Sequence, residues 1–248
     1  MAREIPVPLR LLDLTLVAML LPFALVAGTL LAIAVFLDSP GPILYRSRRI
    51  GRGGEPFDML KFRTMVRDAE GPPLSARGDA RYTPLGRSLA SSRLDELPQL
   101  WNVVRGEMRL VGPRPEVEDF VRHFPEEYER ILSVPPGLTG PAQVEYAWEG
   151  EILARAQAVD RARVYRESIL PLKIAIDIGY AEHHSVGGDL LLLARTLLLP
   201  LVRAWRRIDA VIGGEGPGRH VRLAGAAAGL CVVVAMLGLL AAEASGPL

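Results

Sequence analysis

From Leu14 to Leu37 the chain carries no charge, and Asp13 and Asp38 bracket the run. At 1.5 Å per residue this is about 36 Å of helix, enough for the hydrocarbon core of a bilayer. The run is too long for a secretory signal, and no small-residue cleavage site follows it. Pro22 interrupts it and favours a kink, because proline removes a backbone donor and clashes with the preceding turn. Arg3 and Arg10 precede the run, and Arg46, Arg48, Arg49 and Arg52 follow it. Basic residues at both ends fit a helix that enters the bilayer, bends and returns to the same face better than one that crosses.

A second charge-free run, Leu223 to Ala242, follows Arg203, Arg206, Arg207, Arg219 and Arg222. Its length suits a transmembrane helix, with the arginines in the cytoplasm and the C-terminus outside. Gly225, Ala226, Gly229, Cys231 and Gly238 would allow close helix packing. A homo-oligomer is therefore an open expectation, although composition alone often produces such a pattern. The chain is 50% hydrophobic and 23% charged, which fits a charged globular part between apolar segments. Net charge is +1, so there is no global electrostatic case for nucleic acid. The lone Cys231 excludes an intrachain disulfide and fits a reducing cytoplasmic setting. The expected division is residues 1–42 as membrane helix, 43–202 as catalytic domain, and 203–248 as basic linker and C-terminal helix.

Between the runs, Phe57 to Met65 alternates as a half-buried strand does, whereas Tyr45 to Arg52 reads as a basic segment at the membrane surface. Asp68 to Pro84 reads as a loop able to cover a site, and Leu85 to Ser91 as a helix. Further expectations are a helix over Glu116 to Leu132, rigid turns over Pro135 to Pro141 and a short strand over Ala142 to Tyr146. An amphipathic helix is expected over Glu151 to Glu167, and a short interfacial or core helix over Leu190 to Leu199. His183 and His184 are adjacent and diverge on a helix, which disfavours a metal site there.

The stretch Ser92 to Pro115 carries the chemistry. Leu94, Leu97, Leu100, Trp101 and Val104 recur at helical spacing, and Pro98 suits the first position of a helix from about Leu97 to Arg105. Asp95 and Glu96 then stand just ahead of a helix start, where backbone N–H groups favour anions. In Gly112-Pro113-Arg114-Pro115 two prolines restrict the backbone around one arginine, whose guanidinium forks onto phosphate. Together these groups suggest metal-assisted phosphate chemistry. The same residues also suit plain helix-terminus electrostatics, and residue types alone do not decide between the two.

Several blocks resemble, in order, the bacterial sugar transferase family, the monotopic polyprenyl-phosphate phosphoglycosyl transferases. They are Ser39-Pro-Gly-Pro-Ile-Leu-Tyr45, Arg49-Ile-Gly51, Phe57-Asp-Met-Leu-Lys-Phe-Arg-Thr-Met65, Leu94-Asp-Glu-Leu-Pro-Gln-Leu-Trp-Asn102, Arg105-Gly-Glu-Met108, Leu110-Val-Gly-Pro-Arg-Pro115 and Pro136-Gly-Leu-Thr-Gly140. They cover roughly residues 10 to 200. Asp177 and Tyr180 match a further Asp-x-x-Tyr segment. The resemblance implies a re-entrant membrane helix with its domain at the cytoplasmic side of the bacterial inner membrane. The expected fold is a compact α/β or α+β unit, mostly helical with few short strands, followed by the C-terminal transmembrane helix.

The implied reaction moves a sugar 1-phosphate from a UDP-sugar to a polyprenyl (undecaprenyl) phosphate, releasing UMP, as a first step of glycan assembly. It implies Asp95 as nucleophile, Glu96 as ligand of magnesium (Mg2+), Arg114 as phosphate clamp, and Lys61 and Arg63 in support. Two positions depart from the family pattern. Leu21 precedes Pro22 where serine is usual, and Ala90 stands where a basic residue is common, with Arg93 nearby. The alternatives are a catalytically silent membrane adaptor of envelope assembly and a different membrane phosphotransferase without a covalent intermediate.

Overall fold

The computed structural model describes residues 5–69, 71, 79–147, 149–154 and 160–212. The run Leu223 to Ala242 lies outside the described residues. The chain divides into two units, Met1–Leu197 and Leu198–Leu248.

Helix α1, Val7–Asp38, runs through Pro22. It is long and apolar enough to cross a membrane. One stripe touches the rest of the unit: Leu9, Asp13 and Val17 are buried toward the N-terminal end and Val35 toward the other. Residues 18–23, which include Pro22, are all exposed, so this stripe is interrupted at the proline. Met19, Phe23, Val26, Leu30, Ile33 and Phe36 turn large apolar surfaces outward, which water would not tolerate as a patch but lipid would.

The turn Ser39 to Pro42 leads into a hairpin of β1 (Leu44–Ile50) and β2 (Pro56–Phe62). Gly53 and Gly54 close it at φ of 69° and 83°, conformations that L side chains resist. The register pairs Tyr45 with Lys61, Ser47 with Met59 and Arg49 with Phe57, so these residues share one face. The basic segment expected at the membrane surface is thus a strand, and Arg49 points inward. The periodicity of β2 is as expected.

Helix α2, Pro84–Ser92, is capped by the Thr83 hydroxyl, which accepts from the Gly86 N–H. A 3-10 turn, Leu94–Glu96, precedes α3, Gln99–Arg105. Pro98 sits one position ahead of α3 rather than opening it, because the 3-10 turn already occupies the approach. Strand β3 (Arg109–Val111) then pairs in parallel with β4 (Gly137–Thr139), inside the segment expected as turns. The crossover contains α4 (Glu118–His123) and α5 (Pro125–Ile131). These are two helices where one was expected, because Pro125 cannot continue α4. The strand expected over Ala142 to Tyr146 is instead helix α6, Pro141–Glu145, which Pro141 nucleates after the extended Gly140.

Helix α7 covers Glu149–Ala154, and α8 (Arg161–Val164) runs through a π turn, Tyr165–Ile169, into α9, Leu170–His183. The single helix expected over Glu151 to Glu167 is therefore divided. Helix α10, Val186–Ile212, contains the expected Leu190 to Leu199 segment. One core packs Phe120, Tyr128, Ile131, Tyr165, Leu170 and Ile174. A second joins Val17 of α1 to Met59, Leu100, Val103, Met108 and Val111. A third joins Val35 to Phe62 and Leu89. Each end of α1 thus has its own core contact. The unit is mostly helical with few short strands, as expected.

Candidate active site

Arg93 ends α2 in the left-handed region, at φ 59°, and this reversal starts the turn that carries Asp95 and Glu96. Both carboxylates are buried, at 7% and 8% exposure. Asn102 holds this segment against the hairpin. Its Oδ1 accepts from the Leu60 N–H at 3.0 Å, and its Nδ2 donates to the Asp58 carbonyl at 2.8 Å and to Glu107 Oε2 at 2.7 Å. The carboxamide completes backbone bonding that β2 leaves open on that edge, and so sets the height of Lys61 against Glu96.

Lys61 Nζ donates to Glu96 Oε1 at 3.2 Å, and Arg114 Nη2 donates to the same oxygen at 2.7 Å. Arg93 Nη1 pairs with Glu96 Oε2 at 3.7 Å. Arg114 arrives from the end of β3, where Gly137 and Gly140 press against the chain. A Cβ at Gly137 would lie 2.1 Å from the Gly112 nitrogen, and one at Gly140 would lie 2.1 Å from the Gly112 carbonyl oxygen. The Gly137 N–H donates to the Pro113 carbonyl at 2.8 Å. These close backbone contacts fix the arm that presents the guanidinium.

The two carboxyls are driven in opposite directions. Burial pushes the Asp95 carboxyl up to about 6, against the pull of Lys61, and the Glu96 charge adds to the rise. Burial would also raise Glu96, but Arg114, Lys61 and Arg93 together outweigh it and hold this carboxyl well below the usual range. Burial likewise lowers Lys61, opposed by Glu96. Among the described residues no hydrogen bond or ion pair reaches the Asp95 carboxylate, and Arg114 Nη1 is buried without a partner. Among the described residues Lys61, Arg114 and Arg93 thus converge on Glu96, with the neighbouring Asp95 carboxylate open and one Arg114 donor unused.

Arg63 lies elsewhere. Its Nη2 donates to the Ser39 carbonyl, its Nε and Nη1 are buried without partners, and its guanidinium fills the space beside Gly41. Of the expected site residues, the structure therefore brings together Asp95, Glu96, Lys61 and Arg114, and sets Arg63 against the end of α1.

A second polar layer escaped the sequence reading. Arg49 Nη1 pairs with Glu116 Oε2 at 3.7 Å. Tyr165 donates its hydroxyl to Glu116 Oε1, and Lys173 Nζ donates to that hydroxyl at 2.9 Å and to Glu149 Oε2 at 2.8 Å. Asp177 is pushed up to about 7 by burial, against Lys173. Arg49 opens one recognisable block and Glu116 adjoins another, but only the hairpin register turns Arg49 toward this layer.

Among the described residues no three His, Cys, Asp or Glu side chains gather closely enough to form a metal site of their own. Magnesium commonly takes one or two carboxylates and completes its shell with water and substrate phosphate. The open Asp95 carboxylate and Glu96 Oε2, which carries only the Arg93 ion pair, fit that requirement.

The sequence model of the bacterial sugar transferase family matches residues 7–203. A UDP-glucose:undecaprenyl-phosphate glucose-1-phosphate transferase of Caulobacter vibrioides is 41% identical over 201 residues, 78% of this chain and 70% of the relative. A UDP-N-acetylgalactosamine-undecaprenyl-phosphate N-acetylgalactosaminephosphotransferase of Aeromonas hydrophila is 34% identical over 173 residues, 67% of this chain but only 37% of the relative. A putative undecaprenyl-phosphate N-acetylgalactosaminyl 1-phosphate transferase of Bacillus subtilis is 36% identical over 149 residues, 57% of this chain and 79% of the relative. With a family match over most of its length and this constellation of carboxylates and cations, the chain belongs to the bacterial sugar transferase family.

Proposed function

We propose that this protein transfers a sugar 1-phosphate from a UDP-sugar to a polyprenyl phosphate such as undecaprenyl phosphate, releasing UMP, at the cytoplasmic face of the inner membrane. The observation that carries the reading is the buried Asp95 carboxylate, which no described residue pairs, beside Lys61 and Arg114 gathered on Glu96. A diphosphate suits the cations gathered here, and the unused Arg114 Nη1 offers it a fork. With its carboxyl near 6, Asp95 is mostly ionised at neutral pH and needs no base to act as a nucleophile.

An Asp95 oxygen bonds to the β-phosphorus while the bond from that phosphorus to the bridging oxygen breaks. UMP leaves with the electron pair, and the sugar phosphate stays on Asp95. An oxygen of the lipid phosphate then bonds to the same phosphorus, the Asp95 bond breaks, and the carboxylate returns. Lys61 and Arg114 orient the diphosphate and balance its charge throughout. Glu96 keeps these cations in place and, with Asp95 beside it, would hold Mg2+. When bound, that ion neutralises the diphosphate and the charge on the leaving UMP. Arg93, whose guanidinium reaches Glu96, supplies the positive charge absent at Ala90. Arg63 supports the site indirectly, by tying the end of α1 to β2.

The attachment of α1 supports a re-entrant helix. Arg10 donates to the carbonyls of Val103 and Val104, and Arg63 donates to that of Ser39. Both ends of one helix are thus bound to the same charged body. A crossing helix would place those ends on opposite sides of about 30 Å of hydrocarbon. The uncovered stretch around Pro22 is the part free to bend within lipid.

The test is UMP release by protein in lipid nanodiscs, with Mg2+ and undecaprenyl phosphate, across a panel of UDP-sugars. Release with one sugar, a trapped sugar phosphate on the protein when acceptor is withheld, and loss of both in Asp95→Asn are expected. Turnover without any trapped species would overturn the two-step course. No release from folded protein with any sugar would overturn the activity.

A further inference from the structure

A second charged cluster is more deeply buried than the first and takes no part in the chemistry above. Asp13 of α1, Arg109 of β3 and Asp189 of α10 are 2%, 3% and 1% exposed. Arg109 Nε donates to Asp13 Oδ2 and its Nη2 to Asp189 Oδ2, both at 2.9 Å. Tyr180 of α9 donates its hydroxyl to Asp189 Oδ1 at 2.7 Å. Four elements meet at this point, and one of them is the membrane helix. Asp13 is also the last charge before the apolar run that ends at Leu37. Arg109 opens the strand that leads, through Val111 and Gly112, to Arg114.

We propose that Asp13, Arg109 and Asp189 form a clasp that sets the depth of the catalytic body at the bilayer surface, making Asp13 a positioning residue for the lipid acceptor. The inference rests on the two-step reaction proposed above. A UDP-sugar arrives from water, so its reaction with Asp95 depends only on groups that hold one another through α3, β2 and β3. The acceptor phosphate is confined to the headgroup plane. Its reach to Asp95 depends on how far α1 sinks relative to the body. Without the charge of Asp13 the apolar run would extend back to Leu11, and α1 could slide inward by three residues, about 4.5 Å. A displacement of that size separates an attacking oxygen from its target.

Asp13 is the side of the clasp to perturb. Two aspartates share one arginine, so removing the Asp13 charge leaves Arg109 and Asp189 as a balanced pair and strands no buried charge. Asp13→Leu is the strong variant, and Asp13→Asn is the mild one that keeps side-chain shape should the first not fold. Asp13→Glu is the rescue. In nanodiscs, without acceptor, the burst of UMP should stay within about twofold of wild type, because the donor step is untouched. With undecaprenyl phosphate, turnover should fall about tenfold or more in Asp13→Leu, less in Asp13→Asn, and recover in Asp13→Glu. The loss should shrink in detergent micelles, which have no fixed headgroup plane.

Depth is read separately, by quenching a fluorophore on Met19→Cys, in a Cys231→Ser background, with lipids brominated at graded depths. The label should move toward the bilayer centre in Asp13→Leu. Burst and turnover falling in parallel, or a label that stays at its wild-type depth, would overturn the clasp. A wild-type protein that shows no burst with any sugar would instead overturn the two-step reaction, and the quenching result would still decide the depth claim.

Discussion

The two buried charge clusters use the same residue types to opposite ends. Among the described residues three cations converge on Glu96, and the neighbouring Asp95 is left open. Around Arg109 one cation faces two carboxylates, and Tyr180 closes the second oxygen of Asp189. The first cluster carries an open carboxylate, Asp95, and an unsatisfied donor, Arg114 Nη1. The second holds two carboxylates on one guanidinium, and both oxygens of Asp189 are matched to donors. An incomplete cluster waits for a ligand of opposite charge; a complete one holds elements together. Burial alone does not distinguish them, since Asp13 and Asp189 are buried more deeply than Asp95.

Asp95→Asn sharpens this contrast most. The nucleophile is lost while its shape is kept, so UMP release should drop by roughly four orders of magnitude. Stability should move the other way. The folded Asp95 carboxyl sits near 6 and an unfolded one near 3.8, so as pH rises between those values the unfolded state releases its proton first. Stability is lost across that window and stays lost at neutral pH. The asparagine variant escapes this penalty and should be more stable by on the order of 3 kcal/mol at pH 7. A thermal melt at pH 7 and at pH 4 checks it: the gain should be present at the first and vanish at the second. An unstable Asp95→Asn variant would mean that Asp95 is paired after all.

Glu96→Gln should cost stability instead, by about 3 kcal/mol, because it removes the carboxylate on which the buried Lys61 and Arg114 converge. A donor diphosphate should restore part of that loss, read as a rise in Tm on adding UDP. No such rise would argue that these cations are structural, as in the clasp. The pH dependence of the wild-type burst is a smaller effect. Its rate should be flat above pH 7 and fall about tenfold per pH unit below 6, as Asp95 takes up its proton. The clasp variants should leave that profile in place.

The local chain made much of the open cluster legible. Asp95, Glu96 and Arg114 lie within one continuous stretch, and Lys61 lies in a strand whose alternation shows which way it points. Arg63 is two residues from Lys61 and shares that face by periodicity. The Ser39 carbonyl, which accepts from its guanidinium, draws it away, which no period of two records. The clasp was not legible. Asp13 reads as the edge of an apolar run, and its partner Arg109 is 96 residues away. Arg49 was likewise hidden, because Tyr45 to Arg52 is so basic that its alternation carries no apolar signal. The segment from Ala142 to Tyr146 failed for a different reason: five residues are too few for a period to show, and Pro141 decided the outcome.

The smallest expected effect probes how completely the clasp is closed. In Tyr180→Phe the ring stays and only the hydroxyl leaves, so Asp189 Oδ1 loses its donor while Oδ2 keeps Arg109. A buried hydrogen bond to a charged group is worth about 1.5–3 kcal/mol, and the Asp189 carboxylate places the loss in that range. The melting temperature should fall accordingly, and the UMP burst should stay within about twofold of wild type. The Tyr180 hydroxyl also lies 3.3 Å from the Val111 carbonyl, three residues before Arg114. If the burst fell while the melting temperature held, the two clusters would be coupled through β3, and the division between a cluster that reacts and a cluster that holds would break at that strand.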